Sequence, residues 1–151
     1  MPIATNSDKI DISSENQTKE LAIKVLKKLK PSDIVFLYGE IGVGKTTFIK
    51  YLINEFQKLN KLELTEVTSP TFNLMNEYQI DQLKINHYDL FRLKSTQEIK
   101  NLDLFEDISN SITFVEWPEI IKKKPKNLIM LIFKYEDDHK KRSVQIEGLN
   151  F

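Results

Sequence analysis

The sequence predicts an α/β fold whose sheet has a parallel core and additional antiparallel strands. A strand-length apolar run at residues 32–39 is followed by a glycine-rich loop and then by apolar residues at helical spacing. A second apolar run, at residues 111–117, has the length and composition of a strand buried on both faces, which is typical of parallel sheets. Two pairs of extended segments separated by short polar turns predict antiparallel hairpins.

The length and composition predict one globular domain over residues 1–151. A chain of 151 residues buries roughly 70% of the surface that its unfolded form exposes. With 22 basic and 22 acidic residues, the net charge gives no reason to expect attraction to nucleic acid. The absence of cysteine excludes disulfides and cysteine-ligated metals. The apolar stretches are too short to span a bilayer and the start lacks a secretory signal, so we expect a cytoplasmic protein without membrane contact.

The first half of the chain predicts two helices on either side of the first apolar strand. Apolar residues recur at helical spacing over residues 14–30, with Ser13 or Ser14 as the expected N-cap and Pro31 ending the helix. The second helix is predicted over residues 46–59. Its expected buried positions are Phe48, Leu52, Phe56 and Leu59.

The second half predicts a hairpin, a helix, a buried strand and a closing hairpin. Residues 66–80 and 83–93 form the first hairpin around a turn at Asp81 and Gln82. A helix is expected over residues 95–108, capped by Ser95 or Thr96 with Glu98 in its first turn. The strand at 111–117 follows, and residues 127–138 and 142–149 form the closing hairpin around residues 137–141.

The glycine-rich loop matches the phosphate-binding pattern G-x-x-x-x-G-K-[ST] with Gly39, Gly44, Lys45 and Thr46. In such a loop the backbone N–H groups converge on the phosphates, the lysine reaches the β and γ oxygens, and the hydroxyl binds magnesium. Three of the four glycines of the chain lie in this loop, so glycine is concentrated at the motif rather than spread along the chain. The loop residues predicted to bind nucleotide are Glu40, Ile41, Gly42, Val43, Gly44, Lys45, Thr46 and Thr47.

Two acids compete for the catalytic and magnesium side of this site. A P-loop enzyme needs a carboxylate at the end of a buried strand to hold the metal or to orient the attacking group. Glu116 ends the apolar run of residues 111–116, whereas Asp89 ends a segment whose alternation predicts a half-exposed strand. Either acid could also be a solvated strand end.

Four further features carry weaker predictions. Thr68, Ser69, Pro70 and Thr71 follow the second helix, where P-loop proteins often place a switch that senses the γ-phosphate, although they could form only a turn. Trp117 is expected to pack in the core. His87 and His139 lack metal-ligand spacing and are expected to be packed or solvated. The basic run at residues 122–126 is either a solvated face or a contact to an acidic partner surface or a tRNA phosphate.

The residues also narrow the class of P-loop protein. An Asn-Lys-x-Asp guanine-reading motif late in the chain is lacking, because the similar segment at residues 60–63 directly follows the second helix and ends in Glu. A small-molecule kinase normally uses several arginines around the transferred phosphoryl group, and this chain has only Arg92 and Arg142. The composition therefore favours a slow ATPase that a partner activates.

Four motifs in register resemble the TsaE family, the small bacterial ATPases of tRNA threonylcarbamoyladenosine synthesis. They are GEIGVGKTTF, TSPTFNLMNEY, HYDLFRL and FVEWPE, and the resemblance runs from about Thr18 to Pro118. The resemblance implies a three-layer P-loop NTPase fold, with ATP and Mg²⁺ as ligands. It also implies work beside a threonylcarbamoyl transferase (TsaD) and its paralogue (TsaB), which bind the tRNA and modify adenosine 37. The protein would hydrolyse ATP to reset that assembly and would meet tRNA only through those two partners.

The resemblance also assigns roles to individual residues. Lys45 would hold the β and γ phosphates, and Thr46 and Glu116 would bind magnesium. Asp89 would position water or couple hydrolysis to the partner. Thr18 matches a family threonine near the adenine pocket. Residues 68–71 match the family's switch-like stretch.

Two departures from the family pattern and two alternative functions accompany the resemblance. Phe91 stands where the family often has Tyr, and Glu40 where Asp is frequent; neither removes a ligand. One alternative is a stand-alone phosphotransferase of the nucleotide-kinase type. The other is a binding switch in which ATP occupancy alone controls the partner and hydrolysis is incidental.

Overall fold

A mixed sheet forms the centre of the computed structural model, which describes residues 9–70, 74–100 and 104–150. Its strands are β1 (Ile10–Asp11), β2 (Ile34–Tyr38), β3 (Met75–Ile80), β4 (Leu83–Asp89), β5 (Ser111–Glu116), β6 (Leu128–Glu136) and β7 (Lys141–Glu147). Their order across the sheet is β1-β7-β6-β2-β5-β4-β3. The inner strands β6, β2, β5 and β4 are parallel, and β1, β7 and β3 add antiparallel pairs at the two edges. The predicted mixed sheet is confirmed.

Helices and connecting segments cover both faces of the sheet. The helices are α1 (Glu15–Leu26), α2 (Lys45–Leu59) and α3 (Thr96–Lys100), with a 3-10 turn at Pro118–Ile120. α1 and α2 pack on one face against Val35 and Leu37 of β2, whereas Phe36 faces the other side, where Leu104 and Ile121 cover it. Because side chains alternate along a strand, a buried β2 supplies both cores. The three-layer arrangement is therefore confirmed. The layer on the Phe36 side is thin and is called the second layer below.

Large aromatic side chains are buried in the two cores. Phe36, Phe48, Phe114 and Phe133 are fully buried, and the rings of Phe48 and Phe133 meet edge to face at 5.9 Å. Full burial of one such side chain contributes about 1.5–3 kcal/mol. Packing of Phe48 against Phe133 fixes α2 on the sheet, and with it the loop that opens the helix.

The first helix begins as predicted and ends earlier. Ser14 caps α1 in a capping box with Gln17, which decides between the two expected serines. The helix ends at Leu26 rather than near residue 30. The N–H of Lys28 donates to Val25 at 2.9 Å, so the chain tightens into turns before Pro31, whose ring disfavours helical geometry in the residue before it.

The second half agrees with the predicted order but differs in detail. Both hairpins form, with turns at residues 81–82 and 137–140. α3 covers only Thr96–Lys100; residues 101–103 lie outside the described part, and residues 104–108 are not helical. The predicted helix over 95–108 is therefore too long, because Leu104 and Phe105 pack on the sheet instead. At its start the N–H of Glu98 donates to Ser95 Oγ at 3.4 Å.

One expectation about exposure is wrong, one holds for most of its strand, and one strand was not predicted. Leu59 is 65% exposed, because it lies at the last residue of α2 beyond the sheet. β4 keeps the predicted alternation from exposed Lys84 to buried His87 and loses it only at Tyr88, which is buried on the opposite face. β1 was not predicted, because two residues carry too little alternation to be recognised. Among the described residues, no helix has the length and apolar character needed to cross a membrane.

Gly39→Ala should lower the free energy of unfolding by about 3 kcal/mol or more, as measured by urea denaturation. The added Cβ would lie 2.8 Å from Val43 Cγ1 and 2.9 Å from the carbonyl oxygen of Phe133, at a φ of +146°. Overpacking and a strained backbone each cost about 1–3 kcal/mol.

Gly42→Ala is the matched control for this prediction. Its φ is also positive, at +81°, but the added Cβ would meet only the hydroxyl of Tyr135 at 3.2 Å. We expect a loss of about 1–2 kcal/mol from the backbone alone. Equal losses in the two variants would contradict the close packing of Gly39.

Candidate active site

The glycine-rich loop connects β2 to α2 at the carboxyl end of the parallel strands. Gly44 precedes α2 with a φ of +116° and provides no side-chain cap. The first N–H groups of a helix have no intrahelical partner, and here no capping side chain occupies them. Together with the positive end of the helix dipole, they make this turn a site for an anion such as phosphate.

The sheet register brings both candidate acids to the same edge as this loop. Glu116 is the Cα partner of Leu37 on one side and of Asp89 on the other. The strand ends and the loop enclose a cavity of about 300 Å³. Its lining residues are Ile41, Gly42, Gly44, Lys45, Thr46, Thr47, Ser69, Asp89, Phe91, Glu116 and Trp117.

Glu116 is joined directly to the hydroxyl of the loop. Thr46 Oγ1 donates to Glu116 at 2.9 Å to Oε2 and 3.2 Å to Oε1. Thr46 Oγ1 also lies 2.8 Å from Ser69 Oγ, and His87 Nε2 lies 2.6 Å from Glu116 Oε2. Since Glu116 is only 2% exposed, this carboxylate is held by hydrogen bonds rather than by water.

Asp89 occupies a more open place on the cavity wall. Its Oδ1 accepts the N–H of Phe91 at 3.0 Å. Burial raises the pKa of Asp89 above its ordinary value and Glu116 adds to the increase, while the Phe91 N–H, His87 and Lys45 oppose it. The cavity therefore disfavours the charged form of this acid.

Lys45 is held inside the site by uncharged groups. Its ammonium donates to the carbonyl oxygen of Gly39 and lies 3.9 Å from the centre of the Trp117 ring. Burial lowers the pKa of Lys45, although the Glu116 and Asp89 carboxylates oppose this change. The ammonium therefore lacks a fully compensating anion, a role that a phosphate oxygen can fill.

Of the predicted switch residues, Ser69 lies beside the loop and lines the cavity. Ser69 contacts Thr46, and the carbonyl oxygen of Thr68 accepts Asn76 Nδ2 at 3.1 Å. Pro70 is buried. Thr71 lies outside the described residues.

Other predicted ligands are not brought to the cavity by their side chains. Thr18 is buried, and its hydroxyl donates to the carbonyl oxygens of Ile12 at 3.4 Å and Ser14 at 3.3 Å. Val43 is fully buried in the core, so only its backbone can face a ligand. Glu40 is exposed, with a carboxylate oxygen 3.8 Å from His139 Nε2.

Sequence reasoning missed three side chains around the site. His87 is packed as expected, but its contact with Glu116 was not predicted. Side chains alternate along β4, which puts His87 and Asp89 on one face, and this alternation could have indicated the contact. Trp117 packs partly on the second core as expected, and it also contacts Lys45. Arg142 lies beside the loop, with Nη1 3.5 Å from where a Cβ on Gly44 would be, and no local pattern links these two residues.

The few oxygen ligands at this site suit a magnesium ion, which keeps much of its water, better than an ion whose ligands all come from protein side chains. Within the described ranges, no group of three or more His, Asp or Glu side chains could hold a metal. Mg²⁺ usually takes one or two protein oxygens and completes its shell with water and substrate phosphates. The hydroxyl of Thr46 and the carboxylate of Glu116 provide such a pair.

Comparison with known proteins places the chain in a family. The model of the family described as threonylcarbamoyl adenosine biosynthesis protein TsaE matches residues 12–144. The chain belongs to the TsaE family. The match extends beyond the motifs that carried the sequence resemblance and includes most of the closing hairpin. TsaE proteins are a P-loop family, so a nucleotide with a divalent metal is the ligand that the fold implies.

Individual relatives agree with this assignment. A Rickettsia bellii protein named tRNA threonylcarbamoyladenosine biosynthesis protein TsaE is 44% identical over 131 residues, covering 86% of this chain and 88% of the relative. An Aquifex aeolicus protein of the same name is 37% identical, covering 89% of this chain and 92% of the relative. The crystal structure of Bacillus subtilis YdiB superposes with a TM-score of 0.65 at 24% identity, over 92% of this chain and 83% of that one. This last likeness supports the fold.

Asp89→Asn should stabilise the nucleotide-free TsaE protein at pH 7. Burial raises the pKa of Asp89 in the folded state, so folding favours the protonated form of this acid. Below the ordinary aspartate pKa of about 3.8, Asp89 is protonated in both the folded and the unfolded chain, and its burial does not lower stability. As pH rises through the higher pKa of the folded state, the free energy of unfolding falls, because the folded protein must then hold the charged form. The variant should therefore unfold at higher urea than native at pH 7 and at the same urea near pH 3.

Asp138→Asn, on the exposed turn between β6 and β7, is the control because it removes an equal charge outside the cavity. We expect no comparable gain in stability at pH 7 in this variant. A stability difference for Asp89→Asn that does not change between pH 3 and pH 7 would contradict the account of this acid.

Proposed function

We propose that this TsaE protein binds and hydrolyses ATP with Mg²⁺ in support of the N6-threonylcarbamoyladenosine modification of adenosine 37 in tRNA. The observation that carries the proposal is the contact between the hydroxyl of Thr46, at the start of α2, and the buried carboxylate of Glu116. In P-loop proteins a Ser or Thr hydroxyl and a strand-end acid hold the metal beside the terminal phosphates, and this pair supports such a site here. The names of the relatives supply the tRNA pathway.

The loop residues divide the binding work. Backbone N–H groups of residues 40–47 would hold the phosphates, since the start of α2 has no side-chain cap. Lys45 would leave the Trp117 ring and pair with a β or γ oxygen, which supplies the anion that its buried ammonium lacks. The side chain of Thr46, held by Glu116, would bind the metal.

Two acids then have distinct roles. Glu116 is buried and hydrogen-bonded, so it serves to orient Thr46 and the metal. Asp89 lines the cavity with one side chain oxygen on the Phe91 N–H, which leaves the carboxylate able to position the attacking water. Thr46 and Glu116 would hold Mg²⁺, which would supply positive charge to stabilise the transferring phosphate group.

The arrangement of cations supports slow turnover by the isolated protein. Neither of the two arginines is among the residues that line the cavity, and Arg142 donates through Nη2 to the carbonyl oxygen of Ser13 at 3.0 Å. Phosphoryl transfer is accelerated strongly by a cation that meets the transition-state charge. We infer that partner subunits complete or reshape this site.

The partners we propose are the threonylcarbamoyl transferase TsaD and its paralogue TsaB. The chain would act as a single cytoplasmic domain and meet tRNA only through them. Ile41 and Phe91 are 68% and 52% exposed on the cavity wall, which gives the mouth of the site an apolar rim suited to a protein contact.

A second candidate function is a binding switch that responds to ATP without requiring its hydrolysis, and the position of Ser69 favours it. Its hydroxyl contacts Thr46, the residue that would bind the metal. Metal and nucleotide binding at Thr46 could therefore move residues 68–70 without any bond being broken. A variant of Glu116 or Asp89 that binds ATP without hydrolysing it separates the two candidates, since only a switch would still support tRNA modification.

ATP hydrolysis by the purified chain should be very slow and should rise at least tenfold when the TsaD–TsaB heterodimer of the same organism is added. A tenfold increase corresponds to a barrier lowered by about 1.4 kcal/mol. Lys45→Ala should abolish both rates, whereas Lys50→Ala, on the exposed side of α2, should leave both unchanged. Equal turnover with and without the heterodimer would contradict partner activation and favour a phosphotransferase.

Replacing Lys122, Lys123, Lys124 and Lys126 with Gln should weaken binding to the heterodimer and reduce the salt dependence of that binding. These four side chains are exposed beside the second layer of the fold, and exposed charges act through a screened field. The matched control replaces the exposed Lys24, Lys27, Lys28 and Lys30 at the end of α1. Unchanged affinity of the first variant across a salt titration would exclude this surface.

A further inference from the structure

Within the part of the chain that the structure describes, His87 makes a single polar contact from a fully buried position. It lies on β4 between β3 and β5, and its side chain is 0% exposed. Its Nε2 is 2.6 Å from Glu116 Oε2. Among the described residues, its Nδ1 has no hydrogen-bond partner.

Packing alone does not explain a histidine at this position. A buried ring nitrogen without a partner is unfavourable, and an apolar side chain of similar size would fill the same space without that cost. The carboxylate bond is the only polar contact at this ring in the described part of the chain. The contact with Glu116 therefore accounts for the residue.

The strand pairing directs this contact at the loop hydroxyl. β4 and β5 are parallel neighbours in which His87 pairs with Phe114 and Asp89 pairs with Glu116. His87 and Glu116 thus lie diagonally on the same face, a separation that a long side chain can bridge. Glu116 Oε2 accepts from His87 on one side and from Thr46, at 2.9 Å, on the other.

We propose that His87 is a positioning residue that fixes the carboxylate of Glu116 for the metal side of the nucleotide site. A carboxylate oxygen accepts hydrogen bonds and does not donate them, so Nε2–H is the donor. His87 acts through Glu116 and does not line the cavity. The inference rests on the proposed nucleotide function and adds to it the group that orients the metal-side acid. Partners of metal-ligating carboxylates commonly change metal affinity or activity by about 10–100-fold when they are removed.

Two polar variants separate positioning from packing. Gln at position 87 can place an amide N–H near the position of Nε2, whereas Asn is polar but ends before it. The affinity for a non-hydrolysable ATP analogue is measured by calorimetry, first with chelator and then across a Mg²⁺ series. Without metal, the native protein, His87→Gln and His87→Asn should bind alike, because the phosphate loop is intact.

With metal, the three proteins should differ. The native protein and His87→Gln should reach half of the Mg²⁺ effect at similar concentrations, and His87→Asn should need about 10–100-fold more. The same Mg²⁺ dependence in all three would overturn the inference alone. A native protein whose analogue binding does not respond to Mg²⁺ would overturn both the inference and the proposed function.

A measurement on the native protein keeps the inference testable if the Asn variant does not fold. Long-range ¹H–¹⁵N spectra of ¹⁵N-labelled protein report which ring nitrogen of His87 carries the proton. We expect the proton on Nε2, and Glu116→Ala should shift or remove its signal. A proton on Nδ1 alone, or a signal that does not respond to Glu116→Ala, would overturn the inference.

Discussion

The hydrogen bond between Thr46 and Glu116 is the interaction on which the site depends. It joins the first turn of α2 to the end of β5, and these two elements carry the phosphate side and the acid side of the site. Their distance is set by the parallel pairing of β2 with β5 and by the packing of α2 on the sheet. The core therefore determines the chemistry of the site, because a shift of either element would separate the hydroxyl from the acid.

This arrangement places charged groups where water cannot fully solvate them. Burial lowers the pKa of Lys45 and raises the pKa of Asp89, so each charged form is disfavoured in the nucleotide-free protein. A site prepared in this way interacts strongly with an incoming anion and cation, since its dipoles and charges need little rearrangement. The same buried charges reduce the stability of the nucleotide-free protein. They also explain why the Trp117 ring and the Gly39 carbonyl oxygen hold the Lys45 ammonium.

Much of the fold could be predicted because its signals are local. The apolar run of β2, the glycine pattern and the helical spacing of α2 are consecutive in the sequence, and both hairpins have polar turns between extended segments. The end of α3 could not be predicted, because packing of Leu104 on the sheet overrides helical periodicity. For the site, spacing indicated Lys45 and both acids, whereas the neighbours His87 and Arg142 are brought in by strand pairing between distant segments.

The most direct test is a crystal structure of the protein with Mg²⁺ and a non-hydrolysable ATP analogue. The account predicts phosphates in the turn formed by residues 39–46, a metal beside Thr46 and Glu116, and Lys45 moved from the Trp117 ring onto a phosphate. A nucleotide bound elsewhere would contradict the account. So would a metal coordinated without Thr46 and Glu116 in its surroundings, because the hydrogen bond between those two residues would then have no role in nucleotide binding.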